Sequence, residues 1–139
     1  MKNRCYLLLA IITLILTGCS DGDKGKEHND LTVYYAKSDT WASTYTLIED
    51  EESIFDSLYI QHIGERQLEL KPIEYELEGN GMTTKSTSPQ KLQSVRSFQV
   101  SGEYNKNIIK TEKSEDIEYT LTITQNGTSE VLVLRQVTE

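Results

Sequence analysis

The sequence predicts an all-β domain: an antiparallel β-sandwich of immunoglobulin-like architecture with about seven short strands, after a cleaved N-terminal signal helix. Apolar and polar residues alternate with a period of two over most of the chain from Leu31 onward. Turn-forming residues interrupt this alternation at short intervals, and no stretch after residue 18 shows the 3.6-residue period of an amphipathic helix. A barrel built from the same strands is the alternative architecture.

The N-terminus has the layout of a secretory signal peptide. Lys2 and Arg4 precede an apolar run without charges, from Tyr6 to Leu16. A helix that crosses roughly 30 Å of hydrocarbon needs about 20 apolar residues, so this run is too short for a transmembrane span. We therefore expect residues 1–18 to be a signal peptide that is removed.

A four-residue motif closes the apolar run: Leu16, Thr17, Gly18 and Cys19. The motif resembles the lipobox of bacterial lipoproteins. The resemblance implies cleavage between Gly18 and Cys19 and a diacylglyceryl group on the Cys19 thiol. It also implies a membrane partner, through the lipid on Cys19, and a location at the extracytoplasmic face of the cell membrane. An ordinary signal peptide followed by an unrelated cysteine is one alternative, and retention of the uncut segment as an anchor is another.

Composition limits the classes of function. The whole chain of 139 residues has 14 basic and 22 acidic residues; without residues 1–18 it has 12 basic and 22 acidic residues, a net charge of −10. That charge argues against a nucleic-acid partner. Cys5 leaves with the signal peptide and Cys19 would be lipidated. The remaining domain is then expected to have no disulfide, no cysteine zinc site and no cysteine nucleophile.

The segment that follows Cys19 is a predicted tether. Ser20 to Asp30 contains no apolar residue and two glycines, so residues 19–30 are expected to be flexible and to span about 18 Å on average. Its acidic residues superficially resemble a calcium loop. However, Gly25 and Lys26 occupy the fifth and sixth positions, where an EF-hand needs an acidic or amide residue and then a glycine. Residues 31–139 are the predicted β-sandwich domain.

Period-two alternation assigns the faces of several strands. Trp41, Tyr45 and Leu47 share one face and are expected in the core. In the strand at 73–79, the apolar residues are expected to face inward and the glutamates at positions 74, 76 and 78 outward, nearly 7 Å apart and solvated rather than paired for acid–base catalysis. The predicted strands are 31–36, 41–48, 57–63, 73–79, 94–104, 117–123 and 131–134, with a shorter one at 108–109.

A hairpin is predicted near the C-terminus. Asn126–Gly127 is the preferred type I′ turn sequence, because both residues tolerate a positive φ. With a two-residue turn, Leu121 faces Leu132 and Tyr119 faces Leu134, so that apolar residues meet across the strands.

No catalytic or metal-binding residue is assigned. The sequence has no known nucleophile or phosphate-loop motif, and an enzyme would have to use His62, because His28 lies in the tether. The acidic run Glu49–Glu52 could form half of a cation site, but a solvated turn explains it better. Asn80–Gln90 is the longest predicted loop and the candidate contact loop. Ligand-binding residues are otherwise unassigned, and no cofactor is expected.

With the lipobox, the Trp41–Tyr45 strand, Ile73–Asn80 and the final hairpin, the chain resembles small uncharacterised lipoproteins of Gram-positive bacteria. Those proteins supply no catalytic residues to transfer. In a Gram-negative envelope, Ser20 after the lipidated cysteine would permit sorting to the outer membrane. We predict a non-enzymatic binding module that contacts an envelope protein, a cell-wall polymer or a small ligand. The alternatives are an envelope structural or stress-response protein without a defined ligand and, third, an enzyme that uses His62.

Overall fold

The computed structural model describes residues 30–93, 96–106 and 117–138. The lipobox with Cys19, the tether up to residue 29 and the predicted strand at 108–109 lie outside the described residues. Within the described ranges, no helix has the length and apolarity needed to cross a bilayer. The strands are β1 (Asp30–Lys37), β2 (Trp41–Glu49), β3 (Ser53–His62), β4 (Ile73–Gly79), β5 (Met82–Lys85), β6 (Ser97–Asn105), β7 (Tyr119–Gln125) and β8 (Thr128–Gln136).

The eight strands form one antiparallel sheet in the order β5-β4-β7-β8-β1-β2-β3-β6. The first half of the sheet contains β1, β2, β3 and β6, and the second half contains β4, β5, β7 and β8. The halves meet where β1 pairs with β8 over only two residue pairs, Tyr34 with Gln136 and Tyr35 with Arg135. This short junction lets the halves turn toward each other.

The sheet curls strongly. Tyr75 on β4 and Phe98 on β6 belong to the second and eighth strands of the sheet order. In a flat sheet they would be roughly 29 Å apart, at about 4.8 Å per strand. Their ring centroids lie 5.5 Å apart. The sheet is therefore a curled half-barrel, with its concave face wrapped around the core.

The prediction of an all-β antiparallel fold is confirmed, and the described residues contain no helix. The structure has eight strands in one continuous sheet, where about seven were expected. The additional strand is β5, which lies inside the predicted Asn80–Gln90 loop. The prediction of that loop was wrong at its first half, because Asn80–Gly81 makes the same turn as Asn126–Gly127.

Both Asn-Gly pairs adopt the positive φ angles of a type I′ turn. Asn80 and Gly81 have φ values of 47° and 74°, and Asn126 and Gly127 have 52° and 75°. The predicted register of the second hairpin is confirmed, since Leu121 pairs with Leu132 and Tyr119 with Leu134. The first hairpin pairs Gly79 with Met82 in the same way.

The core occupies the concave face, as the alternation predicts. Trp41, Tyr45 and Leu47 are buried, and the expected division of β4 into buried apolar residues and exposed glutamates is confirmed. Each fully buried large apolar side chain contributes on the order of 1.5–3 kcal/mol. Side chains of both halves meet there: Tyr34 of β1 contacts the ring of Tyr119 of β7 at 4.8 Å. The buried apolar residues are Tyr34, Trp41, Tyr45, Leu47, Ile54, Leu58, Ile60, Ile73, Tyr75, Leu77, Tyr119, Leu121, Ile123, Leu132 and Leu134.

Candidate binding cleft

A cleft of about 550 Å³ opens at one end of the half-barrel. One wall is the loop of residues 63–72 between β3 and β4, and the other is formed by Leu92, Gln93 and Arg96, before β6. We call it the end cleft. Its lining includes two arginines, three leucines and a glutamate: Arg66, Arg96, Leu68, Leu70, Leu92 and Glu69. The mixture of guanidinium and apolar groups suits an amphipathic ligand.

The loop wall is fixed at both of its ends. The backbone N–H groups of Ile63 and Gly64 donate to the Thr40 carbonyl, at 2.8 and 3.1 Å. At the other end, the Gln125 side-chain amide donates to the Lys71 carbonyl at 2.8 Å. Thr40 lies in the turn between β1 and β2 and Gln125 at the end of β7. The loop therefore rests on both halves of the sheet.

Arg96 connects the two walls. Its backbone has a φ of 61°, a left-handed conformation that costs a non-glycine residue about 1–2 kcal/mol. Hydrogen bonds hold it there: its N–H donates to the Gln93 carbonyl at 2.7 Å, and its carbonyl accepts from the His62 N–H at 2.9 Å. Its Nη1 donates to the Gly64 carbonyl at 3.0 Å. The guanidinium is thus held at the cleft by the opposite wall.

His62 lies behind this wall rather than in an open site. The residue is 2 % exposed, and its ring meets Trp41 edge-on, with centroids 4.9 Å apart. Burial lowers the pKa of His62, the nearby Arg96 charge lowers it further, and Glu130 acts in the opposite direction. The ring is therefore neutral at pH 7. Because an arginine can only donate, Nδ1 is the acceptor facing Arg96 Nη1, at 3.5 Å.

The structure does not bring His62 together with the buried carboxylate of the same strand. Asp56 lies six residues earlier on β3, which corresponds to about 20 Å. Its Oδ2 accepts hydrogen bonds from the Tyr45 hydroxyl at 3.1 Å and from the Tyr104 hydroxyl at 3.5 Å. This second polar cluster lies inside the core. Burial, reinforced by the Asp56 charge, raises the pKa of Tyr45 far above its ordinary value.

Two side chains of the end cleft have no internal role. Arg66 forms no hydrogen bond or ion pair with any residue that the structure describes, and Leu68 is fully exposed. The neighbouring Glu69 is paired with Lys71, with 3.2 Å between Oε2 and Nζ. Arg66 and Leu68 are therefore both uncovered, on a loop that is fixed at both ends.

The other charged features are bonded differently. Glu49, at the start of the acidic turn, forms an ion pair with Lys106 at 3.5 Å, and Asp50 accepts the Glu51 N–H at 2.7 Å. Across residues 30–93, 96–106 and 117–138, no three or more His, Cys, Asp or Glu side chains are grouped to hold a metal ion.

Sequence reasoning missed the end cleft. The signal in the sequence was the pair Leu68 and Leu70 beside Arg66, in a stretch that continues no strand pattern. The chain matches no protein-family model, no curated protein and no solved structure.

Proposed function

We propose that this chain is a lipid-anchored, extracytoplasmic binding module of the cell envelope, without catalytic activity, and that the end cleft is its ligand site. The observation that carries the proposal is the outward pair of Arg66 and Leu68: Leu68 is fully exposed, and Arg66 forms no hydrogen bond or ion pair with a described residue. The lipobox motif supplies the anchor at Cys19. The ligand is an envelope protein, a cell-wall polymer or a small molecule, and not a nucleic acid.

The position of the cleft supports this proposal. Strand β1 begins at Asp30, where the tether would enter. It runs toward the turn that contains Thr40, whose carbonyl accepts hydrogen bonds from the cleft loop. Its eight residues span roughly 25 Å. The entry of the tether and the end cleft therefore lie at opposite ends of β1. A domain attached through Cys19 could then present the cleft away from the membrane.

The sandwich architecture also belongs to the proposal. The two four-stranded halves face each other across the core, with Tyr34 against Tyr119 and Tyr75 against Phe98. This facing arrangement supports an immunoglobulin-like sandwich, in which loops at one end of the strands commonly form the binding site.

Crosslinking in the membrane tests the ligand site. A photoreactive amino acid is placed at Gln67 in the cleft lining, and at exposed Thr83 on β5 as the matched control. The full-length protein is irradiated in intact cells. We expect a reproducible adduct from position 67 that is competed by untagged protein, and none from position 83. Equal adducts at both positions, or none at position 67, would refute the cleft as the ligand site.

Lipid labelling tests the anchor separately. Cys19→Ala should abolish incorporation of labelled fatty acid and leave the protein uncut or released from the membrane fraction. Cys5→Ala removes the other cysteine of the sequence and should change neither result. A Cys19→Ala protein that is still processed and still membrane-bound would show that the anchor proposal is wrong.

A further inference from the structure

The charge of the end cleft is opposite to that of the protein. The chain from Cys19 onward has 12 basic and 22 acidic residues, so most of its surface repels anions. Two guanidinium groups, Arg66 and Arg96, nevertheless line the same cleft. The carboxylate in the lining, Glu69, is offset by Lys71 at 3.2 Å. The cleft is therefore a locally cationic site in an acidic domain.

The guanidinium groups remain available to a ligand. Arg96 donates through Nη1 to the Gly64 carbonyl, which orients the group and leaves N–H donors on Nε and Nη2. Arg66 forms no bond with a described residue. The planar guanidinium pairs with carboxylate or phosphate through two parallel hydrogen bonds, which is a geometry specific to these anions.

Apolar groups flank the two arginines. Leu68 is fully exposed, and Leu70 and Leu92, in the same lining, are partly buried. An inorganic anion would leave these leucines in water, whereas a ligand with an apolar chain would cover them. The volume of about 550 Å³ accommodates a small molecule of this kind.

We propose that the end cleft binds a small amphipathic anion: one carboxylate or phosphate group, held by Arg66 and Arg96, on a short apolar chain that covers Leu68. This inference rests on the proposed function, because it identifies the ligand chemistry of the same site. It goes beyond that function by fixing the sign of the ligand charge and the need for an apolar part.

Calorimetric titration of the full-length chain in uncharged detergent tests the inference, with protein-free micelles as the blank. The probes are hexyl phosphate, hexanoate, inorganic phosphate and hexylammonium. We expect saturable binding of at least one anionic hexyl probe, weaker binding of inorganic phosphate and no binding of hexylammonium. The stronger of the two anionic hexyl probes identifies the head group as phosphate or carboxylate.

Three variants locate the binding. Arg66→Gln should weaken the anionic hexyl probe roughly tenfold, the effect of one charge-assisted hydrogen bond. Leu68→Ser should weaken binding of the anionic hexyl probe and leave the affinity for inorganic phosphate unchanged. Arg135→Gln makes the same charge change on the exposed Arg135–Glu118 pair, outside the cleft lining, and should have no effect.

Any of three results would overturn the inference. Hexylammonium could bind as tightly as the anionic hexyl probes, the affinity for those probes could fall equally in Arg66→Gln and Arg135→Gln, or no probe could bind. Those results would leave the adduct at Gln67 unaffected, so a failure of the ligand chemistry is distinguishable from a failure of the proposed function.

Discussion

Removal of one buried hydroxyl, in Tyr45→Phe, should destabilise the domain measurably. Tyr45 is 0 % exposed, and its hydroxyl donates to Asp56 Oδ2 at 3.1 Å, in a core where Asp56 is only 9 % exposed. A hydrogen bond to a charged partner is worth about 1.5–3 kcal/mol. Phenylalanine keeps the ring packing, so this bond accounts for most of the loss. We expect the free energy of unfolding to fall by about 2 kcal/mol.

Urea denaturation followed by the fluorescence of Trp41, the single tryptophan, measures this loss. The matched control is Tyr35→Phe, because the Tyr35 side chain is partly exposed outside the core. Its free energy of unfolding should change by less than about 0.5 kcal/mol. A loss in Tyr45→Phe no larger than in Tyr35→Phe would refute the role assigned to the Asp56 hydrogen bond.

The free energy of unfolding above pH 10 gives a second test of the Tyr45 environment. Burial and Asp56 raise the pKa of Tyr45, so the native state keeps the neutral phenol while the unfolded chain ionises near pH 10. The contribution of the neutral Tyr45 phenol to the free energy of unfolding is complete below pH 10. It is lost as pH rises above 10, at up to about 1.4 kcal/mol per pH unit. Burial, as the largest cause, raises the pKa of Tyr119 to about 12 in the same direction. Tyr45→Phe should therefore lose stability less steeply than the wild type above pH 10.

Two further predictions concern stability. Burial and Arg96 lower the pKa of His62 below 6.5, so the unfolded chain binds a proton that the native state excludes, and stability falls as pH drops below about 6.5. The urea midpoint should fall between pH 7.5 and pH 5.5, and it should fall less in His62→Phe than in the wild type. An equal fall in the two proteins would contradict a neutral buried ring. Gly79→Ala places a Cβ against the Tyr119 ring and should cost about 3 kcal/mol, whereas Gly81→Ala meets no atom and should cost about 1 kcal/mol for its φ of 74°. Thermal melts of both variants measure the difference, and equal shifts would show that the Tyr119 contact relaxes.

The faces of individual strands could be predicted from the sequence, because side chains alternate across a strand whatever it pairs with. The buried faces of Trp41 and Tyr45 were assigned on that basis, and the Asn126–Gly127 hairpin was assigned from its turn residues; these assignments are confirmed. The order of the strands could not be predicted, since a local pattern does not specify which strands pair. Strand β5 was missed because its residues are mostly polar, and its pairing with β4 decides its conformation.

The end cleft was not predictable for a related reason. Arg66 and Arg96 are thirty residues apart in the sequence and line the same cleft because β3 pairs with β6. The left-handed backbone of Arg96 is likewise a tertiary effect, held by hydrogen bonds to His62 and Gln93. In contrast, the motif around Cys19 consists of adjacent residues and can be recognised from the sequence alone. It stays a prediction, since it lies outside the described residues.

The two halves of the sheet are interleaved along the chain, and this ordering governs how the domain can fold. Strands β1 to β3 belong to the first half, β4 and β5 to the second, β6 to the first and β7 and β8 to the second. Neither half can be completed from one continuous segment, so the domain should unfold in a single cooperative transition. Pairing strands that are distant in the sequence slows folding to the range of milliseconds to seconds. The chain therefore remains unfolded for this interval before the two halves close on each other.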